Sequence, residues 1–223
     1  MEKYTKKIPK NDNYAPMSRG ACDIIKPVKA GTKIVAIASS TGDPHALHSV
    51  IPQLPSNLDA AVLLVQHMPK GFTKALAERM NELSGLNVKE AEEGEELQKG
   101  TVYIAKAGVH MKAQRNSFGR YIIRYTDEPL RDGVKPNANY MYESLSGAEF
   151  GKVVCVVLTG MGADGTEGIA TLKKTDNTYV IAQSEETCTV YGMPGSVVKG
   201  GHADTILPLQ DIAREIVRQV GVM

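Results

Sequence analysis

The fold is decided by one stretch of the sequence, Lys33-Ile34-Val35-Ala36-Ile37-Ala38-Ser39-Ser40-Thr41-Gly42-Asp43-Pro44. Its first half is a short apolar run rich in β-branched residues, which is typical of a buried strand. Its second half has the chemistry of a turn, and Asp43 and Pro44 suit the N-cap and the first position of a following helix. The stretch therefore predicts a strand that turns directly into a helix.

The same unit recurs along the chain. Further strands are predicted at residues 61–65, 102–105, 153–158, 178–182 and 204–207, further helices at 137–147, 165–172 and 211–220, and a hairpin at 109–114 and 119–125. After the second strand, an apolar stripe predicts a helix that buries Phe72, Ala75, Leu76, Met80 and Leu83. Repeated strand–turn–helix units indicate an α/β fold, with a mostly parallel sheet and helices on both faces.

The composition excludes several classes of protein. The chain has 223 residues and a formal net charge of +1, which argues against nucleic-acid binding through bulk positive charge. It has no Trp and only 3 Phe, so a base-stacking platform is not expected. No apolar run approaches the roughly 20 residues of a membrane span, and the N-terminus lacks the apolar core of a signal peptide. We therefore expect a cytoplasmic protein with no nucleic-acid partner and no direct membrane insertion.

The first 30 residues differ from the rest of the chain. They carry seven basic and three acidic residues and have no sustained hydrophobic period. We interpret residues 1–30 as a flexible basic tail or linker remnant, and residues 31–223 as one domain. Within that domain, the acidic stretch 90–96 is expected to be a solvated loop or edge.

Three residues that suit acyl transfer follow three of the predicted strands. Ser40 comes after the first strand, His67 after the second, and Asp164 in the turn after residues 153–158. In an open parallel sheet, ligands bind beyond the carboxyl ends of the strands. A serine hydroxyl needs an imidazole to accept its proton and a carboxylate to orient that imidazole. The placement predicts a Ser–His–Asp triad in one crevice.

Each of these residues also has a purely structural interpretation. Ser40 would serve as a helix cap, and Ser39 is an alternative nucleophile in the same turn. His67 would be a hydrogen-bonded surface histidine, and Asp164 would stabilise the next helix through its dipole. The spacing in the sequence does not choose between the two interpretations, because it gives no distance across the sheet.

The glycine-rich turn after the strand 153–158 has two interpretations. The run Gly160-Met161-Gly162-Ala163-Asp164-Gly165 opens a helix, and the free N–H groups at such an opening suit an oxyanion, as do those of the Ser40 turn. The run also fits the G-x-G-x-x-G fingerprint of Rossmann-type nucleotide-binding proteins, with Glu185 about 20 residues beyond it. That fingerprint normally opens the first βαβ unit of a domain, whereas here it lies in the last third of the chain. Nucleotide binding is therefore kept as the alternative function.

No cofactor or metal site is predicted. His45 and His48 lie three positions apart on the first predicted helix, but no third ligand accompanies them. Cys155 lies inside a predicted strand and is expected in the core, and Cys188 lies in a polar loop where a thiolate is disfavoured. The three cysteines form no CxxC pair, which is typical of reduced intracellular thiols.

Four motifs stand out in the sequence: Ser39-Ser40-Thr41-Gly42, Gln66-His67-Met68-Pro69-Lys70-Gly71-Phe72-Thr73, Leu158-Thr159-Gly160-Met161-Gly162-Ala163-Asp164-Gly165 and Val190-Tyr191-Gly192-Met193-Pro194-Gly195. They resemble the catalytic domain of the chemotaxis protein-glutamate methylesterase (CheB) family. The segment Val102-Tyr103-Ile104-Ala105, with Gly108 and His110-Met111, also fits. The resemblance runs in the family's order from about Lys33 to near the C-terminus.

The resemblance implies a modified doubly wound fold and a serine hydrolase. The resemblance implies that methyl-accepting chemotaxis receptors are both its substrates and its partners. The hydrolase would remove methyl groups from their glutamate γ-methyl esters and would also deamidate some of their glutamines. The family's nucleophile, base and carboxylate fall on Ser40, His67 and Asp164. Thr41 and Met161 fall on active-site support positions, with the Met161 backbone N–H placed to stabilise the oxyanion.

The sequence departs from the family's pattern at two places. The family usually has Gly-Ala-Ser-Thr-Gly-Gly around its nucleophile, whereas Asp43 ends the corresponding stretch here. A carboxylate there either caps the helix or repels an anionic intermediate, so a catalytically weakened receptor-binding module is a further alternative. The family's Arg-Pro-Ser-Val-Asp stretch is Lys135-Pro136-Asn137-Ala138-Asn139 here, which is expected to affect receptor contacts or pocket shape and not the triad.

Family members often carry an N-terminal receiver domain whose phosphorylation relieves inhibition. The 30-residue tail is too short for such a domain. We therefore expect either a free-standing catalytic domain or a fragment of a longer protein.

Overall fold

A computed structural model describes residues 27–40, 45–175 and 177–223. Its strands are β1 (Lys33–Ser39), β2 (Ala60–Gln66), β3 (Asn87–Glu90), β4 (Thr101–Ile104), β5 (His110–Arg115), β6 (Tyr121–Thr126), β7 (Lys152–Val157), β8 (Thr178–Gln183) and β9 (Thr205–Leu207). Its α-helices are α1 (His45–Val50), α2 (Phe72–Leu83), α3 (Ala138–Ser144), α4 (Thr166–Thr175), α5 (Met193–Lys199) and α6 (Leu209–Val220). Two short 3-10 helices span Ile51–Gln53 and Glu185–Thr187. None of the helices in the described ranges combines the length and apolarity that a bilayer crossing would take.

Seven strands form one parallel sheet in the order β3-β4-β2-β1-β7-β8-β9, and β5 and β6 form a separate antiparallel hairpin. From β1 the chain builds outward through β2 to the β3 edge, and then returns to place β7 on the other side of β1. The predicted doubly wound, mostly parallel sheet with a hairpin is thus confirmed. The strand order reverses between β1 and β7, which is where ligands bind in sheets of this kind.

The two faces of the sheet carry separate apolar cores. Alternation along β1 directs Ile34, Ala36 and Ala38 into the core beneath the hairpin, α3, α4 and α5. It directs Val35 and Ile37 into the core beneath α1, α2 and α6. Parallel strands that are buried on both sides need a cover on both faces, so the apolar runs read from the sequence account for the helices on each side.

The packed region begins earlier than the expected boundary at residue 31. Val28 is fully buried in the core. Its N–H donates to the Leu97 carbonyl at 2.8 Å, and its own carbonyl accepts the Tyr121 N–H at 3.2 Å. Val28 therefore links the hairpin to the segment before β4, and residues 27–30 belong to the packed region. The rest of the predicted basic tail lies outside the described residues.

The buried face of α2 differs from the predicted stripe. Leu76 and Met80 are buried as predicted, but Phe72, Ala75 and Leu83 are exposed. The buried positions are 73, 76, 77 and 80, which follow the i, i+3, i+4, i+7 spacing of one helix face. The prediction was wrong because it started the stripe at the first apolar residue, one position before the face that packs.

The edge strand β3 was not predicted, because Asn87-Val88-Lys89-Glu90 holds a single apolar residue. The acidic stretch 90–96 continues from it. Glu93 forms an ion pair with Arg124, and Glu96 forms one with Arg120, so both carboxylates bind the hairpin. The predicted solvated loop or edge is thus an edge strand followed by a loop that contacts β6.

Two leucines on α2 provide a matched test of its orientation. Leu76 is 5% exposed and Leu83 is 41% exposed. We expect Leu76→Ala to lower the free energy of unfolding by about 3 kcal/mol, because it leaves a cavity, whereas Leu83→Ala should cost well under about 1 kcal/mol. Urea unfolding followed by circular dichroism measures both. Equal losses for the two variants would contradict the described face.

Candidate active site

His67 and Asp164 are joined by a hydrogen bond. His67 is the first residue after β2, and Asp164 lies in the turn between β7 and α4, 97 residues further along the chain. His67 Nε2 lies 2.8 Å from Asp164 Oδ2, and the two side chains are 11% and 3% exposed. Because a carboxylate accepts hydrogen bonds, Nε2 carries the proton and Nδ1 is the acceptor of the neutral imidazole. The residues predicted as base and acid are therefore in contact.

Backbone donors at the start of α3 fix the orientation of the Asp164 carboxylate. The Ala138 N–H donates to Oδ2 at 2.7 Å, and the Asn139 N–H donates to Oδ1 at 3.0 Å. Both N–H groups belong to the first turn of the helix, where they have no carbonyl partner within the helix. Asp164 thus completes the hydrogen bonding of α3 while it orients His67.

Ser40 and His67 directly follow the last pair of the β1–β2 ladder. In the β1–β2 ladder Ser39 pairs with Gln66, and the His67 N–H donates to the Ser39 carbonyl at 3.1 Å. Ser40 and His67 are the next residues along the two chains, and neighbouring strands are about 4.8 Å apart. On its other side, the Ser40 N–H donates to the Thr159 carbonyl at 3.1 Å. Ser40 therefore lies between His67 and the turn that follows β7.

The Ser40 hydroxyl makes no hydrogen bond to His67 in this conformation. Among the residues that the structure describes, none bonds to Ser40 Oγ, and the recorded side-chain bond of His67 is the one to Asp164. Contacts between a nucleophile and its base are often long in ligand-free enzymes and shorten when substrate binds. The structure brings the base and the acid together, and the role of Ser40 stays a prediction that its position supports.

The two serines of this turn differ in accessibility. Ser39 is the last residue of β1 and is only 3% exposed, whereas Ser40 is half-buried at the edge of the crevice. A substrate can therefore reach Ser40 and not Ser39. Thr41, predicted as a support residue, and Asp43, the departure from the family's pattern, both lie outside the described residues.

The Met161 N–H is presented outward by the turn after β7. The Gly160 carbonyl accepts the N–H groups of Gly192 at 3.0 Å and of Met193 at 2.8 Å. Because the peptide unit is planar and trans, the Met161 N–H points away from those donors. No described residue accepts a hydrogen bond from it. Among the described residues this N–H is therefore an unpaired donor, and its oxyanion role stays a prediction.

The glycines of this turn are explained by contacts within the protein. A Cβ on Gly160 would lie 2.8 Å from the Ser40 Cβ and 2.3 Å from the Met193 Sδ. Only glycine at position 160 therefore lets the backbone of this turn come so close to Ser40. Gly165 has a φ of +97°, and a Cβ there would lie 3.0 Å from the Tyr142 ring. The G-x-G-x-x-G pattern thus serves packing around Ser40 and Tyr142.

The departure at Lys135-Pro136-Asn137-Ala138-Asn139 contacts the triad through its backbone. Ala138 and Asn139 supply the two N–H donors to Asp164, and the Asn139 Oδ1 also accepts the Gly168 N–H of α4 at 2.8 Å. The Asn137 N–H donates to His110 Nδ1 at 3.2 Å, and burial lowers the pKa of His110. The support of Asp164 by this segment could not be predicted, because any residue type except proline supplies a backbone N–H donor.

The described cysteines are not nucleophiles. Cys155 is fully buried in β7, as predicted. Burial raises the pKa of Cys188 to about 11, so the unreactive thiol predominates at neutral pH. The chemistry at this edge of the sheet therefore rests on the oxygen and nitrogen groups of the crevice.

A family model described as CheB methylesterase matches residues 35–216. The chain belongs to the CheB methylesterase family. A protein-glutamate methylesterase/protein-glutamine glutaminase of Geobacillus kaustophilus is 47% identical over 188 residues, which are 84% of this chain and 54% of the relative. A Bacillus subtilis protein of the same name is 46% identical over 187 residues, which are 83% of this chain and 52% of the relative.

The crystal structure of the CheB methylesterase catalytic domain of Thermotoga maritima has the same fold. It is 42% identical in sequence, with a TM-score of 0.80, and the alignment covers 85% of this chain and 99% of that one. The chain spans about half the length of the curated relatives it matches. Membership of the CheB methylesterase family supports the esterase interpretation of the glycine-rich turn and not the nucleotide-binding one.

Replacing Asp164 with asparagine is expected to lower the free energy of unfolding by about 1–3 kcal/mol. Three N–H donors bond to the two carboxylate oxygens of Asp164. An asparagine would place its own NH₂ against at least one of these donors, which would then lose its acceptor. Asp127→Asn is the matched control, because Asp127 is 93% exposed in its ion pair with Lys135. Urea unfolding should leave this control close to the unsubstituted protein. Equal losses in both variants would contradict the described environment of Asp164.

Proposed function

We propose that this chain is a serine hydrolase that removes methyl groups from the glutamate γ-methyl esters of methyl-accepting chemotaxis receptors. It also deamidates receptor glutamines, because the ester and the amide share the same γ-acyl group. The observation that carries the proposal is the His67–Asp164 hydrogen bond beside Ser40, in a chain whose relatives are named protein-glutamate methylesterase/protein-glutamine glutaminase. Ser40 acts as nucleophile, His67 as general base and Asp164 as the carboxylate that orients His67.

The first half of the reaction forms an acyl-enzyme. Ser40 Oγ attacks the γ-carbonyl carbon and transfers its proton to His67 Nδ1, the nitrogen left free by the bond of Nε2 to Asp164. The carbonyl oxygen becomes an oxyanion and accepts the Met161 N–H. The bond from carbon to the methoxy oxygen then breaks, His67 returns the proton, and methanol leaves.

The second half of the reaction releases glutamate. A water molecule gives a proton to His67 and attacks the acyl carbon, and Ser40 recovers the proton as its ester breaks. With a glutamine substrate, ammonia leaves in the first half and the second half is the same. Every step uses side chains and backbone of this chain, and we propose no cofactor.

We propose that the reaction takes place in the cytoplasm, with the receptors as protein partners. Within the described residues, neither Cys155 nor Cys188 belongs to a disulfide, which is typical of proteins in reducing compartments. The crevice at the carboxyl edge of β1, β2 and β7 is where the receptor segment binds.

Ser40→Ala is expected to abolish methanol release from a chemotaxis receptor labelled on its methyl esters, while the melting temperature changes little. His67→Ala should have the same effect, and Asp164→Asn should lower the rate by a smaller factor, on the order of 10⁴-fold. Ser49→Ala is the control, because the recorded bonds of Ser49 are local, to the His45 carbonyl in α1 and from Gln53 in the 3-10 helix that follows. Turnover retained by Ser40→Ala would eliminate the proposed mechanism.

Gly160→Ala is expected to lower kcat roughly 100-fold, because its Cβ would push the Ser40 Cβ and the Met193 thioether out of position. Gly85→Ala is the control, since a Cβ there meets its nearest neighbour, the Ser56 Cβ, at an ordinary 3.5 Å. Methanol release by the two variants is compared at equal protein concentration. A Gly160→Ala protein as active as the Gly85→Ala protein would show that the close approach to Ser40 has no part in catalysis.

A further inference from the structure

The Gln66 side chain bonds to the backbones of both the nucleophile and the base. Gln66 is the last residue of β2 and is 2% exposed. Its Nε2 donates to the Ser40 carbonyl at 2.8 Å and to the His67 carbonyl at 3.2 Å. Within the described part of the chain, it is the one side chain with a recorded hydrogen bond to Ser40.

The chemistry of the two acceptors fixes which way the Gln66 amide points. Reversing the amide would place Oε1 against two carbonyl oxygens, so the nitrogen must face them. Oε1 is then buried without a hydrogen-bond partner among the described residues. A buried, unsatisfied acceptor is destabilising, and an apolar side chain of similar length would avoid it. The donor function of Nε2 is therefore the physical reason for an amide at this position.

The Ser40 backbone needs such a donor because it lies beyond the ladder. Its N–H is held by the Thr159 carbonyl on the β7 side, and its carbonyl is held by Gln66 on the β2 side. The residue is thus tied from both sides at the point where the chain leaves the sheet. The two ties set the backbone torsions of Ser40 and, through them, the direction of its Oγ.

A second buried amide side chain, at the end of β8, bonds to the backbone of the turn after β7. Gln183, the last residue of β8, is fully buried, and its Oε1 accepts the Thr159 N–H at 2.8 Å. Its Nε2 donates to the Thr187 carbonyl at 2.7 Å. These hydrogen bonds therefore link the carboxyl ends of four strands, β2, β1, β7 and β8. Gln66 is the side chain among them that contacts Ser40 and His67 directly.

We propose that Gln66 is a positioning residue that holds the nucleophile and the base at a fixed separation. The inference rests on the proposed function, because it assigns Gln66 a role in the same reaction. Gln66 touches neither the substrate nor the reacting atoms, and it acts through the backbones of Ser40 and His67. Its effect is therefore on kcat, with KM little changed.

The first test is Gln66→Met, which keeps the length of the side chain and removes the donor. We expect kcat for methanol release from a methyl-labelled chemotaxis receptor to fall roughly 10- to 100-fold, because small displacements of reacting groups have effects of this size. The melting temperature should stay within a few degrees, since the buried Oε1 is removed as well. Gln219→Met is the control, because Gln219 bonds Glu215 and Lys152 at the opposite end of the sheet.

The second test is Gln66→Glu, whose effect depends on pH. A protonated carboxyl can donate its O–H to the Ser40 carbonyl, whereas a carboxylate repels that oxygen. Burial raises the pKa of a carboxyl, so the donor is present at low pH and is lost as pH rises through that pKa. The ratio of the Gln66→Glu rate to the unsubstituted rate should therefore increase as the pH is lowered from 9 to 6. The corresponding ratio for Gln66→Met should not change with pH. Taking ratios removes the pH effects that the variant and the unsubstituted protein share.

The outcomes separate this proposal from the proposed function. An unsubstituted protein that releases no methanol, or releases it as fast as Ser40→Ala does, overturns both. An active protein whose Gln66→Met variant keeps full kcat overturns the positioning role alone. A purely structural role for Gln66 would instead lower the melting temperature strongly and give a pH-independent ratio for Gln66→Glu, and that result also overturns the proposal.

Discussion

The hydrogen bond between His67 and Asp164 is the contact on which the site depends. It joins the turn after β2 to the turn after β7, and so it passes over the carboxyl end of β1, where Ser40 lies. This arrangement requires β1 to lie between β2 and β7, with all three strands parallel. The doubly wound order supplies both conditions, because the strands on either side of the reversal point end at one edge. The strand order of the fold therefore brings His67, Asp164 and the turn that holds Ser40 to one edge of the sheet.

Much of this could be predicted from the sequence. The apolar runs ending at Ala38, Val65 and Leu158 mark strands, and the polar residue after each run must lie at the same edge once the strands are parallel. That argument places the turns that hold Ser40, His67 and Asp164 at one edge, and it leaves Ser39 open as an alternative to Ser40. Boundaries were predicted to within one or two residues for most strands, because buried parallel strands are continuous apolar runs with turn residues at their ends.

The remaining features depend on contacts that leave little mark on residue types. β3 has a single apolar residue, so nothing distinguishes it from a loop until β4 is beside it. Val28 belongs to the packed region through backbone bonds to Leu97 and Tyr121, which are distant in the sequence. The α2 face was misplaced because several apolar residues of that helix are exposed, and the hydrophobic pattern alone cannot say which of two adjacent faces packs.

At the carboxyl edge of the sheet, backbone groups that have no ladder partner help to build the site. Where strands end, backbone N–H and carbonyl groups lose their ladder partners and must find others if they are buried. Here the Ser40 carbonyl bonds to Gln66, the Thr159 N–H bonds to Gln183, and the first N–H groups of α3 bond to Asp164. Each bond that completes the backbone also fixes a group beside the crevice. Preorganisation at this edge therefore comes from hydrogen bonding that the fold requires anyway, while the stability of the domain comes from the apolar cores on its two faces.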